Sequence, residues 1–251
     1  MSVAERTTLT NQKRYTHFEF TGAMVTAYDR FNRFASFGQD IHWRRSTARH
    51  LVQFMEARRS APLILDLACG TGDMALAIHK FAPELPIIGS DPSFEMLHHG
   101  VRKLRQIDGD NLLLLQSVSN LPFRDAQLDA ITCAFGFRNF VHLKRDLSRL
   151  RKHLKSGGRL YALEFYQPKT RFVQSFLSIY RKTMFPLLGL LLIRQVRPYS
   201  YLSNSILNFH TTDQFADLLQ HCGYGRIEKK PFFFGLVHLI VAENPTNPRR
   251  Q

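Results

Sequence analysis

The chain has 251 residues, 44% of them hydrophobic, which is enough for one large α/β domain with a substantial core. Its formal charge is +14 and its pI about 10.1, which admits nucleic acid, an anionic membrane surface or an acidic ligand as partner without choosing among them. The three cysteines, Cys69, Cys133 and Cys222, show no CxxC spacing; this argues against a disulfide framework or a zinc site and fits a reducing, cytoplasmic setting.

Residues 1–21 read as a polar N-terminal arm without the apolar stretch of a secretory signal. Residues 22–57 read as two helical stretches broken near Ser36-Phe-Gly-Gln39. Pro62 to Ala68 is a short apolar run ending at glycines, as a buried parallel strand would be. A helix is expected from Asp73 to Phe81, a strand from Pro86 to Asp91, a helix from Pro92 to Gln106, and strands at 111–116 and 128–134. Leu143, Leu147, Leu150 and Leu154 repeat at helical spacing, and Gly157-Gly158 is expected to end that helix ahead of a strand at 159–165. Residues 168–209 break the rhythm as a long, apolar helical insertion. Its longest apolar run, Met184 to Ile193, is about half the length needed to span a bilayer. A helix at 211–223, two closing strands at 225–229 and 232–242, and a tail at 244–251 complete the reading. Strands alternating with helices predict an α/β fold with a doubly wound, mostly parallel, seven-stranded Rossmann-like sheet, in one domain over 22–243.

The strand at 62–68 runs through Asp66 into Cys69-Gly70-Thr71-Gly72. Glycines let a backbone approach a ligand closely, and the helix that follows offers free N–H groups to an anionic end. The next strand ends at Asp91, placed to accept hydrogen bonds from ribose hydroxyls. The glycines do not follow the G-x-G-x-x-G pattern of dinucleotide sites. The loop resembles the E/D-x-x-x-G-x-G loop of class I S-adenosylmethionine methyltransferases.

Further stretches narrow the resemblance: Tyr28-Asp-Arg-Phe-Asn32, Ser36-Phe-Gly38, Trp43-Arg44, Leu65 to Asp73, Leu121-Pro-Phe123, Phe135-Gly-Phe-Arg-Asn139, Leu163-Glu-Phe165 and Tyr199-Ser-Tyr-Leu202. In that order they resemble the UbiE-type C-methyltransferases of ubiquinone and menaquinone biosynthesis, over about residues 22–243. The resemblance implies S-adenosylmethionine as cofactor, with Asp66, Gly70, Thr71, Gly72, Asp91, Ser117, Val118 and Ala134 around it. It implies Arg138 and Asn139 at the reacting end, Tyr28 supplied by a helical N-terminal lid at 22–57, and no metal. The implied acceptor is a prenylated quinol, with no nucleic-acid partner.

Methyl transfer is an in-line displacement in which alignment and exclusion of water do most of the work. A quinol carbon becomes nucleophilic as the adjacent phenol loses its proton, so Arg138 would stabilise the developing phenolate, Asn139 would hold a water or ring oxygen, and Tyr28 would position the ring. His42 and Glu164 are further candidates for the base. An acceptor dissolved in a bilayer implies a protein peripheral to the inner membrane, and the apolar, basic-flanked stretch at 171–197 would suit such contact. Asp40, Phe31, Ser117 and Ser156 depart from the family pattern, which makes this a divergent member and leaves a second acceptor class open: another small phenol, a lipid or RNA. A non-catalytic cofactor-fold subunit is the other alternative; the intact glycine loop and Asp91 speak against it.

Overall fold

A computed structural model describes residues 23–58, 62–105, 112–115, 121–168 and 205–246, together with 170–171, 173–175, 177–180 and 183. The polar arm and most of the insertion expected at 168–209 lie outside the described residues, as do Ser117 and Val118. In chain order the elements are α1 (Ala23–Ala35), α2 (Gln39–Glu56), β1 (Ile64–Leu67), α3 (Asp73–His79), β2 (Ile87–Ser90), α4 (Phe94–Leu104) and β3 (Leu112–Leu115). There follow β4 (Leu128–Ala134), a 3-10 turn (Phe137–Asn139), α5 (Leu143–His153), β5 (Leu154–Phe165), α6 (Thr212–His221), β6 (Gly225–Phe232) and β7 (Val237–Glu243).

The seven strands form one sheet in the order β3-β2-β1-β4-β5-β7-β6. The first five are mutually parallel, and β7 runs antiparallel to both β5 and β6. Consecutive residues of the central strands enter opposite cores, as period-two geometry demands. Ile64, Tyr161 and Leu239 pack with Trp43, Leu51 and Ile78 on the side of α2 and α3. Their neighbours Leu65, Leu160 and Ile240 pack with Leu147 and Phe215 on the side of α5 and α6. With both faces covered, the strands read as nearly unbroken apolar runs, which is why they were visible in the sequence.

Helix ends follow local chemistry. Gly38, at φ 74, separates α1 from α2 where the sequence predicts the break. Ser93 accepts from the Met96 N–H at the start of α4, and Thr211 with Gln214 closes a capping box on α6. Two boundaries differ from expectation. Gly157-Gly158 does not end the α5 helix; α5 stops at His153 and β5 begins at Leu154, with the glycines inside the strand. A Cβ on Gly158 would lie 2.9 Å from the Lys155 carbonyl oxygen, so the pair serves a register shift between Leu128 and Ala130 of β4. β6 continues through Pro231 to Phe232, because an edge strand tolerates a missing N–H.

The winding reverses between β1 and β4, which are neighbours in the sheet with β2 and β3 on one side and β5 on the other. The crevice at the carboxyl ends of β1 and β4 is the switch point at which such sheets bind ligands.

Candidate active site

Two loops leave that switch point. The first, after β1, has positive φ at every second residue: Ala68 (53°), Gly70 (55°) and Gly72 (79°). It is held from behind: the Cys69 N–H donates to the Ser90 carbonyl over 3.0 Å, and α4 packs so closely that a Cβ on Gly100 would lie 3.2 Å from the Thr71 main chain. Above Gly70 a Cβ would meet nothing within 4 Å, so the loop turns an open face outward.

The acids beside the loop do different work. Asp91 accepts the N–H groups of Gly70 and Ser93, each at 2.9 Å. Burial raises its pKa, and those two hydrogen bonds oppose the rise. Asp66 is fully buried beneath the loop and accepts from the Thr132 hydroxyl and the Ala75 N–H. Burial pushes its carboxyl up to about 7 against those bonds.

An ion cluster ties α1 to this loop. Asp29 accepts the Thr71 hydroxyl at 2.6 Å and the Lys103 ammonium at 2.9 Å. Arg33 reaches Asp73 at 2.8 Å and also pairs with Asp40, while Arg44 meets Asp40 at 2.7 Å and Lys103 pairs with Asp73. Burial raises the Asp73 pKa, but Arg44, Lys103 and Arg33 outweigh it and hold the carboxyl near 2.

The second loop, after β4, carries Phe135 at φ 63 and then Gly136. A Cβ on Gly136 would stand 2.7 Å from both the Ala68 Cβ and the Cys133 sulfur, so the two loops touch there and only glycine fits. The turn delivers Arg138 onto Glu164 of β5: Nη1 lies 2.5 Å from Oε1 with the side chains 7% and 0% exposed. Burial raises the Glu164 pKa, and Arg138 opposes it.

Arg138 lines a cavity that is partly open to solvent. Tyr28, Asn32, Ser36, Asp40, Arg44 and Tyr180 complete its polar wall; Ala35, Trp43, Phe135, Phe165, Leu177, Ile206, Phe233 and Leu236 form the apolar one. Trp43 is the hub of that wall, with ring centroids 6.0–6.1 Å from those of Phe135, Phe165 and Phe233. The combination is an aromatic chamber with a fixed guanidinium in its wall, beside a glycine loop with an open face.

Residues 7–243 match the model of the ubiE/COQ5 methyltransferase family. The chain belongs to the ubiE/COQ5 methyltransferase family. It is 38% identical over 217 residues to a demethylmenaquinone methyltransferase of Thermotoga maritima, covering 86% of this chain and 90% of that one. It is 35% identical to a ubiquinone/menaquinone biosynthesis C-methyltransferase of Syntrophotalea carbinolica, covering 84% and 87% of the two chains. A solved S-adenosylmethionine-dependent methyltransferase of Aquifex aeolicus shares the fold, with TM-score 0.54, 16% identity, and 77% and 88% of the two chains covered.

In this methyltransferase, Tyr28 and Arg138 come together at one cavity, whereas Asn139 lies exposed at the end of the 3-10 turn and is not among the lining residues. Ala134 ends β4, half-buried, next to Phe135. His42 is exposed and leans on Phe232, outside the lining. Glu164 is a buried partner of Arg138 and of the Phe165 N–H, as a bound acid beneath a loop would be. Sequence reasoning missed Asp29, Arg33 and Lys103. A readable signal existed in one corner only: Asp40 and Arg44 stand four apart on one helix, the spacing of an ion pair.

Proposed function

We propose that this methyltransferase moves the methyl group of S-adenosylmethionine to a ring carbon of a prenylated quinol, with demethylmenaquinol as the acceptor. The observation that carries the acceptor is the aromatic cavity with Arg138 anchored on Glu164 in its wall. The names of the relatives at 38% and 35% identity support the same chemistry.

S-adenosylmethionine, when bound, supplies a sulfonium methyl for in-line displacement. The residues present fit it: the open face above Gly70, Gly72 at the N-terminus of α3, and Asp91 at the end of β2 with one edge on the loop N–H. Asp66 supports the loop from beneath and Thr71 fastens it to α1. In the cavity, Trp43, Phe135 and Phe165 would sandwich the ring and exclude water. Arg138 would stabilise the oxyanion that appears as the neighbouring hydroxyl loses its proton, and Tyr28 would orient the ring. Glu164 accepts from Arg138 and Phe165, which makes it the anchor of the cation and not the base. The unit doing this work spans 22–243, with 22–57 as its lid and 168–209 as an insertion. Among the described residues no helix is long and apolar enough to cross a membrane.

Incubation with methyl-labelled S-adenosylmethionine and demethylmenaquinol should place label on the quinol. Label appearing on a different phenol, lipid or RNA from an extract, with none on the quinol, would overturn the assignment.

A further inference from the structure

With the exception of Phe94, every large apolar side chain left exposed among the described residues is the chain neighbour of a cavity-lining residue. Phe34 precedes Ala35, Phe37 follows Ser36, Ile41 follows Asp40, Ile179 precedes Tyr180, Leu207 follows Ile206 and Phe234 follows Phe233. The lining residues face inward, and their neighbours form an apolar rim at the protein surface. Scattered exposed leucines need no explanation, but a concentration around one cavity does.

Two members of the rim carry a second burden. Phe37 (φ 52) and Phe234 (φ 53, ψ 26) hold left-handed backbone, where a bulky L-residue is strained and asparagine or glycine sits easily. Phe37 leans one edge on Tyr180 and Phe234 on Phe233, yet they stay 62% and 87% exposed. Strain and exposure at the same two rings give folding little return, and strained backbone of this kind gathers at functional surfaces.

We propose that this aromatic rim is a docking surface for an anionic lipid bilayer, which seats the mouth of the cavity against the membrane. The charge around the rim selects that partner. Arg30 stands one helical turn before Phe34 and Arg45 one turn after Ile41, and both are exposed. Exposed Lys230 lies 5.7 Å from the Phe232 ring centroid, and its ammonium reaches the Ser46 hydroxyl at 2.9 Å, beside Arg45; Lys229, on the other face of β6, pairs with Asp213 instead. Basic groups interleaved with aromatic rings are the composition of surfaces that lie in an anionic interface. A second copy of a chain carrying +14 would be repelled from the same face. The inference rests on the tailed quinol as acceptor and deepens it: the tail would pass between cavity and bilayer without crossing water.

The test uses the full chain and its double variant Phe37→Asn, Phe234→Asn, in which asparagine accepts the left-handed backbone and the fold is kept. Both are sedimented with vesicles of phosphatidylcholine alone and of phosphatidylcholine mixed with phosphatidylglycerol. The unmodified protein should bind the mixed vesicles, and the double variant should lose at least about tenfold in partition. Methylation of a tail-less, water-soluble quinol should be equal in the two proteins, whereas methylation of a tailed quinol embedded in the vesicles should fall with binding. No binding of the unmodified protein to mixed vesicles, or equal binding by the variant, overturns the proposal. So does a dimer of the unmodified protein that the variant abolishes without any vesicle binding, since the rim would then belong to a second copy. Failure to methylate the tail-less quinol strikes the acceptor assignment and leaves the vesicle result to decide the rim.

Discussion

Arg138 and Glu164 are bound to each other twice: Nη1 of the guanidinium lies 2.5 Å from Oε1, and the Arg138 main-chain N–H donates to Oε2 across 3.4 Å. One carboxylate therefore fixes both the side chain and the turn that carries it. Glu164→Gln keeps the shape and removes the carboxylate charge that faces the guanidinium. Loss of a buried partner costs about 3–5 kcal/mol, so denaturant unfolding should show a fall of that order. Turnover should drop at least about tenfold while calorimetry finds S-adenosylmethionine binding intact. Arg138→Ala should likewise spare cofactor affinity and depress kcat; a full rate in either variant would remove Arg138 from the chemistry.

The Asp66 carboxyl is raised to about 7 by burial, against an ordinary value of 3.8. Between those values the folded protein holds a proton that the unfolded chain releases. Stability therefore falls as pH climbs from about 4 through 7, by an amount on the order of 4 kcal/mol for such a shift. Asp66→Asn can accept from Ala75 and offer its amide to Thr132. Its melting temperature should match that of the original protein near pH 4 and exceed it increasingly toward pH 8. A constant difference across that range would show that Asp66 does not titrate in it.

Lys103 stands between Asp29 of α1 and Asp73 at the start of α3, and is 21% exposed. Lys103→Met should leave those carboxylates without their shared cation and loosen α1 from the glycine loop. Partly exposed pairs are worth little individually, so the loss in global stability should be only about 1 kcal/mol. The sharper readout is local: amide exchange in α1 should accelerate several-fold (roughly, for a 1 kcal/mol opening change). High salt should reproduce part of the effect in the unsubstituted protein.

Gly136→Ala puts a methyl into the contact between the two loops, at 2.7 Å from the Ala68 Cβ and the Cys133 sulfur. Overpacking of this kind costs about 1–3 kcal/mol. Because the turn to Arg138 starts here, kcat should fall along with thermal stability. Turnover unchanged in a destabilised protein would show that Arg138 is held by Glu164 alone.

The strands and their order of appearance were legible because both faces of the sheet are covered and the apolar runs at 62–68, 86–91 and 128–134 stand out between glycines, prolines and polar helix faces. The glycine loop and Asp91 were legible because backbone chemistry demands particular residue types there. The ion cluster was not: Asp29 and Thr71 stand 42 positions apart, and nothing at either position announces the other. The cavity was half visible. Arg138 and Tyr28 came from the family motifs, but Trp43, Phe165 and Phe233 look in the sequence like any core aromatics, and only packing turns them into a wall. The extent of β5 was misread because glycine ends helices more often than it opens a bulge in a strand.

The placement of β7 has a consequence for the birth of the molecule. Among the described residues it follows the other six strands in sequence, yet it sits inside the sheet, pairing β5 on one edge and β6 on the other. On the ribosome, the parallel half through β5 emerges with a bare hydrogen-bonding edge, and β6 follows with nothing to pair against. Neither edge is satisfied until Val237–Glu243 has cleared the exit tunnel. Glu164, on β5 opposite His238 of β7, thus receives its final setting only when β7 has docked.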